Sequence, residues 1–198
     1  MKILYIDSTV REMSRTAEIA RFLLERLLLE DPDGGITPVK LNDIDLPRVD
    51  EDFLRERDKA CSSHDFAADI FDNAKLFAAA DIIVIAAPYW DLSFPAVLKR
   101  YFEQINVVGL TFAYTDEGIP VSLCRAKKLY YVTSAGGMIY DDAFGFGYIK
   151  ALAENFYGIK DCICFKAEGL DIVGADICGI MDRTKREITS LICDKTER

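Results

Sequence analysis

Two kinds of segment, which differ in the spacing of their hydrophobic residues, alternate along the chain. Short runs such as 2–7 and 81–87 are rich in β-branched residues, and 82–87 is apolar throughout, as is typical of a strand covered on both faces of a parallel sheet. Longer segments such as 14–30 repeat apolar residues every three or four positions, which indicates amphipathic helices. The alternation predicts an α/β fold with right-handed crossovers.

The boundaries follow from the same pattern. It predicts strands at 2–7, 36–41, 81–87, 128–134 and 162–167, and helices at 14–30, within 53–80, and at 94–107, 148–157 and 175–195. Segment 110–123 follows neither pattern, because its character alternates from residue to residue, it carries aromatic residues, and it contains an Asp-Glu-Gly turn. We expect a small excursion or hairpin there, on a single domain spanning residues 1–198. Its doubly wound, five-stranded parallel sheet should have the order 2-1-3-4-5, with a switch point between strands one and three.

Charge and length exclude several classes of protein. The 198 residues contain 24 Lys and Arg against 33 Asp and Glu, a net charge of −9, which argues against nucleic acid or an anionic membrane as the main partner. A small phosphorylated ligand needs only a local group of hydrogen-bond donors, so the net charge does not exclude a ligand of this kind. No targeting segment is visible, and the longest apolar stretch, 82–90, is about half of what a bilayer requires. We therefore expect a cytoplasmic protein.

The cysteines do not predict a metal or redox site. The six of them form no C-x-x-C pair, and the chain has one histidine, His64, so a Cys/His zinc site is not expected. We expect buried, reduced, structural thiols. Cys162 and Cys164 should lie on one face of a strand.

The loop after the first strand holds a candidate anion site. In open parallel sheets, ligands bind outside the carboxyl ends of the strands at the switch point. Residues 7–16 contain four hydroxyls and two arginines at a helix start, without the glycine patterns of nucleotide-binding loops. Such a start can hold a monophosphate. Ser14 as a simple helix cap explains part of the same pattern, and both interpretations can hold together.

Two further loops at this edge are unusual. The only tryptophan, Trp90, follows Tyr89 after the third strand, which suits a flat, stacked ligand or rings that cover the end of the sheet. Gly136 and Gly137 follow the fourth strand, where they let the backbone approach a ligand or form an ordinary turn. The coincidence of three such loops predicts a ligand site.

These segments carry a family resemblance over nearly the whole chain. It rests on Ser8, Arg11 and 14–16, on PYWDLSFPAVLK at 88–99, on GLTFAYT at 109–115 with Gly118, and on TSAGG at 133–137 with Tyr140. The chain resembles the flavodoxin-like FMN-dependent NAD(P)H oxidoreductases, the NADH-azoreductase and quinone-reductase group. The resemblance implies bound FMN, NAD(P)H as electron donor, and ping-pong hydride transfer to a quinone, azo or related aromatic acceptor. It also implies a homodimer with active sites near the subunit interface.

The resemblance also implies the cofactor contacts. They are Ser8, Ser14, Arg15 and Thr16 around the phosphate, Pro88, Tyr89, Trp90 and Asp91 along the ring, and Ser134, Gly136, Gly137 and Tyr140 at its edge. No residue has a certain catalytic role, since the cofactor carries the chemistry. Tyr140 either donates a proton to the acceptor or packs against the flavin edge.

Two residues depart from the family pattern. Asp91 stands where Asn is common, so a group that only accepts hydrogen bonds when ionised replaces an amide donor, and its charge would disfavour flavin reduction. Ala135 stands where many members have a larger polar or basic residue. Arg11, Arg15 and Arg125 could each meet a 2′-phosphate, which leaves NADH and NADPH open. The rival functions are a flavodoxin-type electron carrier and a flavin-free binding or regulatory relative.

Overall fold

Five parallel strands form the central sheet and confirm the predicted fold. In the computed structural model, which describes residues 1–193, the strands are β1 (Lys2–Asp7), β2 (Gly35–Lys40), β3 (Ile82–Ala86), β4 (Phe112–Tyr114), β5 (Pro120–Ser122), β6 (Lys128–Ser134) and β7 (Asp161–Ala167). The main sheet has the order β2-β1-β3-β6-β7. This is the predicted 2-1-3-4-5 order once the β4–β5 hairpin is set aside.

Helices cover both faces of this sheet. They are α1 (Arg15–Glu30), α2 (Glu51–Ser62), α3 (Asp72–Ala79), α4 (Ala96–Ile105), α5 (Phe146–Asn155) and α6 (Ile177–Cys193), with a 3₁₀ turn at Asp69–Phe71. One apolar core joins the sheet to α1 and α6, and the other joins it to α3, α4 and α5. Strand β3 contributes to both cores, since Val84 and Ala86 face the first and Ile83 and Ile85 the second. Its continuous apolar sequence follows from this double coverage.

The predicted boundaries agree closely with the structure. Ser14 caps α1, and its hydroxyl accepts a hydrogen bond from the Ala17 amide at 3.2 Å. Helix α4 is shorter than its predicted range, and α5 begins two residues before the predicted helix. The predicted end of the last helix, Lys195, lies outside the described residues. Between residues 1 and 193, no helix combines the length and apolar character needed to cross a membrane.

The cysteine expectation was partly wrong. All six cysteines are free thiols, but Cys178 and Cys193 are exposed, and only Cys124 is fully buried. Both exposed thiols belong to α6, whose outer face carries polar residues. Burial therefore cannot be inferred from the residue type alone. Cys162 and Cys164 do share one strand face, against the α3–α5 core.

The excursion at 110–123 is an antiparallel hairpin, as predicted. Strand β4 pairs with β5, with Phe112 opposite Ser122 and Tyr114 opposite Pro120. Thr111 fixes its base: the buried hydroxyl donates to the Ile105 carbonyl at 2.7 Å and accepts from the Val107 amide at 3.1 Å. One side chain thus joins the end of α4 to the start of the hairpin.

Replacing Thr111 by Val should lower the free energy of unfolding by about 1–3 kcal/mol, because it leaves two buried backbone groups without their partner. Chemical denaturation measures the change. Thr37→Val in β2 is the matched control, since Thr37 is exposed, and it should change stability by less than about 0.5 kcal/mol. Equal effects of the two substitutions would contradict the assigned role of Thr111.

Candidate active site

A cavity of about 360 Å³ lies at the carboxyl ends of β1, β3 and β6. This is the switch point of the sheet, because the chain leaves β1 towards β2 on one side and β3 pairs on the other. The three loops predicted to bind a ligand line it, together with the loop after β7. The lining residues are Val10, Arg11, Met13, Ser14, Arg15, Thr16, Pro88, Tyr89, Trp90, Ser134, Ala135, Gly136, Leu170 and Asp171.

The start of α1 gives one end of the cavity its affinity for anions. The Ser14 hydroxyl accepts from Ala17, and the Ser14 carbonyl accepts from Glu18. The amides of Arg15 and Thr16 have no acceptor among residues 1–193. Unpaired amides at a helix start, reinforced by the helix dipole, form a site for a phosphate or carboxylate.

Hydroxyl groups join the first and third loops. Thr16 Oγ1 and Ser134 Oγ are 2.6 Å apart and share a hydrogen bond. Thr16 is fully buried, so the pair fixes the distance between the start of α1 and the end of β6. These two hydroxyls already have one partner each, which they would keep or exchange for a ligand oxygen.

An ion pair spans the cavity and involves a residue that the sequence did not reveal. Arg15 Nη1 lies 2.9 Å from Asp171 Oδ1. The Asp171 carboxylate sits over Gly136, and a Cβ added at position 136 would collide with its Oδ2 atom. The Asp171 amide also donates to the Gly136 carbonyl at 2.9 Å. Gly136 is therefore needed to let this carboxylate approach the backbone.

The loop after β3 contains a strained turn. The Trp90 amide donates to the Ser93 carbonyl at 2.9 Å, and the Ser93 amide donates back to the Trp90 carbonyl at 2.8 Å. Asp91 and Leu92 between them have φ angles of 51° and 66°, which is the geometry of a type I′ turn. Asp tolerates this left-handed region better than Leu does. Leu92 is 62% exposed, so burial of its side chain offsets little of this strain.

Two hydrogen bonds hold this loop against the segment before α5. The Ser93 hydroxyl donates to the Phe144 carbonyl at 2.6 Å, and the Tyr89 hydroxyl donates to the Asp141 carbonyl at 3.1 Å. The Tyr89 ring and the turn that carries Trp90 are thus both attached to the segment 141–144 and form an aromatic wall. A rigid wall of this kind can orient a planar ligand.

Eight of the predicted contacts line the cavity, and four do not. The eight are Ser14, Arg15, Thr16, Pro88, Tyr89, Trp90, Ser134 and Gly136. Ser8 is buried, and its hydroxyl donates to the Ala86 carbonyl at 2.9 Å. Asp91 and Gly137 flank lining residues, and the Tyr140 side chain is 94% exposed. Sequence reasoning missed Val10, Met13, Leu170 and Asp171, of which the last two follow β7 at the same sheet edge.

The thiols near the sheet cannot act as nucleophiles near neutral pH. Burial raises the pKa of the Cys164 thiol to about 12 and that of Cys162 to about 11. Both therefore stay protonated, and a thiol in that state is a poor nucleophile. Neither of them lines the large cavity.

Comparisons with known proteins point to one family. A family model described as "Flavodoxin-like fold" matches residues 1–191. FMN-dependent NADH:quinone oxidoreductase 2 of Clostridium acetobutylicum is 34% identical over 194 residues, covering 92% of this chain and 94% of the relative. An FMN-dependent NADH:quinone oxidoreductase of Lachnoclostridium phytofermentans is 34% identical over 190 residues, with coverages of 89% and 90%.

Solved structures share the fold over nearly the full length. An azoreductase from Bacillus anthracis str. Sterne has a TM-score of 0.84 at 23% identity, covering 96% of this chain and 98% of that one. An FMN-dependent NADH-azoreductase from Bacillus anthracis str. Ames Ancestor, in complex with FMN, has a TM-score of 0.82 at 22% identity, with coverages of 98% and 99%. At this identity the likeness establishes the fold.

Replacing Leu92 by Gly should stabilise the chain by about 0.5–1 kcal/mol. The left-handed conformation costs a residue with a Cβ roughly 1–2 kcal/mol, and the larger unfolded-state entropy of Gly offsets part of the gain. Chemical denaturation of Leu92→Gly against Leu92→Ala checks this, because the Ala variant keeps the Cβ and the strain. If both variants are equally stable, the turn is not strained at this residue.

Proposed function

Because the chain belongs to the family of proteins with the flavodoxin-like fold, we propose that it is an FMN-dependent NADH:quinone oxidoreductase that also reduces azo or related aromatic acceptors. The resemblance noted in the sequence agrees with this family. One observation carries the proposal: a single cavity combines unpaired amides at a helix start with an aromatic wall. Relatives named as FMN-dependent NADH:quinone oxidoreductases align over about nine-tenths of the chain.

The start of α1 fits the phosphate of FMN. In the proposed complex the amides of Arg15 and Thr16 donate to phosphate oxygens, and the Arg15 guanidinium lies beside them. Backbone amides and a dipole need little net positive charge, so this site is compatible with a chain of charge −9. The Asp171 carboxylate, 2.9 Å from Arg15, balances part of that positive charge. Ser8 would support the loop through Ala86 rather than touch the phosphate.

The aromatic wall fits the flavin ring. Trp90, 40% exposed, and Tyr89 present flat surfaces to the cavity, and Pro88 continues them. The amides of Gly136, which lines the cavity, and of its neighbour Gly137 have no acceptor among residues 1–193, and we propose that they donate to polar ring atoms. The turn places Asp91 beside Trp90, so its carboxylate would disfavour a negatively charged reduced flavin.

The protein would supply binding and orientation. FMN, when bound, would supply the hydride chemistry. We propose a ping-pong order, in which NADH binds and leaves before the acceptor binds at the same place. The hydrogen bonds from Tyr89 and Ser93 to the 141–144 segment keep the wall fixed. Tyr140 is 94% exposed and follows the Gly136–Gly137 loop in the chain, and we propose that it either donates a proton to the acceptor or closes over the flavin edge.

The ion pairs of the arginines favour NADH over NADPH. Arg15 pairs with Asp171, and Arg125 pairs with Asp81 at 2.7 Å. A 2′-phosphate would have to compete with these carboxylates. Arg11 lines the cavity, has no ion-pair partner among the described residues, and is the remaining candidate for binding a 2′-phosphate. The names of the relatives also give NADH as the donor.

We further propose a cytoplasmic homodimer in which each chain is one domain and needs no nucleic acid, membrane or metal ion. Large apolar side chains are exposed on the loop after β3 and on the segment between β6 and α5, which is a sign of an interface. They are Leu92 at 62%, Tyr140 at 94% and Phe144 at 61%. A flavodoxin-type carrier, the main rival, has no need of such a surface or of the β4–β5 hairpin.

Titration of the purified chain with FMN tests the cofactor site. We expect a yellow 1:1 complex, and Trp90→Ala should weaken FMN binding roughly 10-fold, or about 1.4 kcal/mol, through loss of stacking. Trp90→Phe keeps an aromatic face and should bind nearly as well as the original chain. If FMN does not bind at all, the flavin-free relative is the correct interpretation, and if Trp90→Ala binds normally, the wall is wrongly assigned.

Steady-state kinetics test the reaction. The FMN-loaded chain should oxidise NADH in the presence of a quinone, and double-reciprocal plots at several quinone concentrations should be parallel, as a ping-pong order requires. NADPH should be the poorer donor, and Arg11→Ala should leave the NADH rate nearly unchanged. An FMN-loaded chain that does not oxidise NADH would be an electron carrier, and intersecting plots would exclude the ping-pong order.

A further inference from the structure

A second, much smaller cavity lies directly behind the aromatic wall. Tyr89 lines both cavities, so the small cavity adjoins the aromatic wall. The small cavity is bounded below by Tyr131 and Thr133 of β6 and Cys164 of β7, and the segment before α5 covers it. None of these three strand residues lines the large cavity.

Two buried hydroxyl groups in this cavity have no partner. Tyr131 is 1% exposed and Thr133 is 2% exposed. Neither hydroxyl has a partner of hydrogen-bonding distance and angle among residues 1–193, although the Thr133 hydroxyl lies close enough to Tyr131 to lower its pKa against the larger, raising effect of burial. Buried polar groups are nearly always paired, with protein or with ordered water, because an unpaired one destabilises the fold. We therefore expect each of the two hydroxyls to form a hydrogen bond with a group that is not a side chain of the protein.

The two hydroxyls are held where one small molecule can reach both. Tyr131 and Thr133 are two residues apart in β6, so their side chains leave the same face of the sheet. The Tyr131 ring is fixed by stacking on Phe146, with centroids 5.8 Å apart and planes inclined by 29°. The cavity offers about 10 Å³ to the centre of a water-sized molecule, which is room for one water and for nothing larger.

We propose that this cavity binds one ordered water molecule, which is hydrogen-bonded to the Tyr131 hydroxyl and to Thr133 Oγ1. Cys164 and Tyr89 line the same space, and their thiol and hydroxyl would provide the further partners that a buried water requires. Tyr89 already donates to the Asp141 carbonyl, so its hydroxyl oxygen accepts from the water. The water would thus connect Tyr89 of the aromatic wall to strand β6 by hydrogen bonds.

The chemistry of the lining agrees with a neutral guest. Burial raises the pKa of Tyr131 far above neutral pH and that of the Cys164 thiol to about 12, so both groups are uncharged donors. A cation would find no carboxylate among the buried groups that face it, and an anion would find no charge-bearing donor there. Lys166 and Asp142 lie at the rim, and Lys166 is 3.2 Å from Glu168.

Thermal unfolding distinguishes a hydrated cavity from a dry one by the sign of the shift. If water binds, Tyr131→Phe and Thr133→Val each remove one of its partners, and each should lower Tm by about 2–4 °C. If the cavity is dry, the same substitutions remove an unpaired buried hydroxyl and should raise Tm. The full chain is measured with and without added FMN, so the result does not depend on the proposed function.

Tyr101→Phe is the matched control. Its hydroxyl is also buried and unpaired, but it lies in the core near Cys124 and lines neither cavity. Its removal should leave Tm unchanged or raise it. Increases in Tm for all three variants would overturn the proposal.

A crystal structure of the full chain at a resolution that shows ordered solvent gives the direct test. We expect one water within roughly 2.7–3.0 Å of both hydroxyl oxygens, and it should be absent in Thr133→Val. Density without a water, or a direct hydrogen bond between Tyr131 and Thr133 in its place, would overturn the proposal whatever the unfolding data show.

Discussion

The pairing of β1 with β2 on one side and β3 on the other is the constraint on which the site depends. It forces the chain to leave neighbouring strands in opposite directions and opens a crevice at their carboxyl ends. Ser8 locks this junction, because both its amide and its hydroxyl donate to the Ala86 carbonyl at 2.9 Å. The loop that follows Ser8 then leads to the capped start of α1 at a fixed distance from the loop after β3.

The fold could be predicted because each segment obeys one simple period. The apolar sequence of β3 has a single good explanation, burial on both faces, and Ser14 combines the cap and the helix start in one residue. The position of the crevice then follows from topology alone. By contrast, Ser8 and Ser14 look alike in the sequence, yet one is buried in the strand junction and the other lines the cavity.

The parts of the site that could not be predicted from the sequence depend on contacts between residues far apart in the chain. Asp171 reaches the cavity only because the loop after β7 runs beside Gly136 and Gly137, with amide-to-carbonyl bonds of 2.9 Å at both. No local pattern around position 171 indicates this. The exposure of the α6 thiols could not be predicted for the same reason, because the burial of a side chain depends on which face of its helix packs against the sheet.

The polar groups of this edge are mostly engaged in holding the protein together, and this limits what the chain can do by itself. Thr16 bonds to Ser134, Arg15 to Asp171, and Ser93 to Phe144. Among residues 1–193, the groups of this cavity left unpaired include the Arg11 guanidinium and the amides of Arg15, Thr16 and Gly136, which bind and orient but neither attack a substrate nor carry electrons. Burial keeps the strand thiols Cys162 and Cys164 protonated, and the exposed thiols of α6 do not line the cavity. No cysteine or histidine of the described chain lines this cavity, so redox chemistry there would be supplied by a molecule that the amides and the aromatic wall bind.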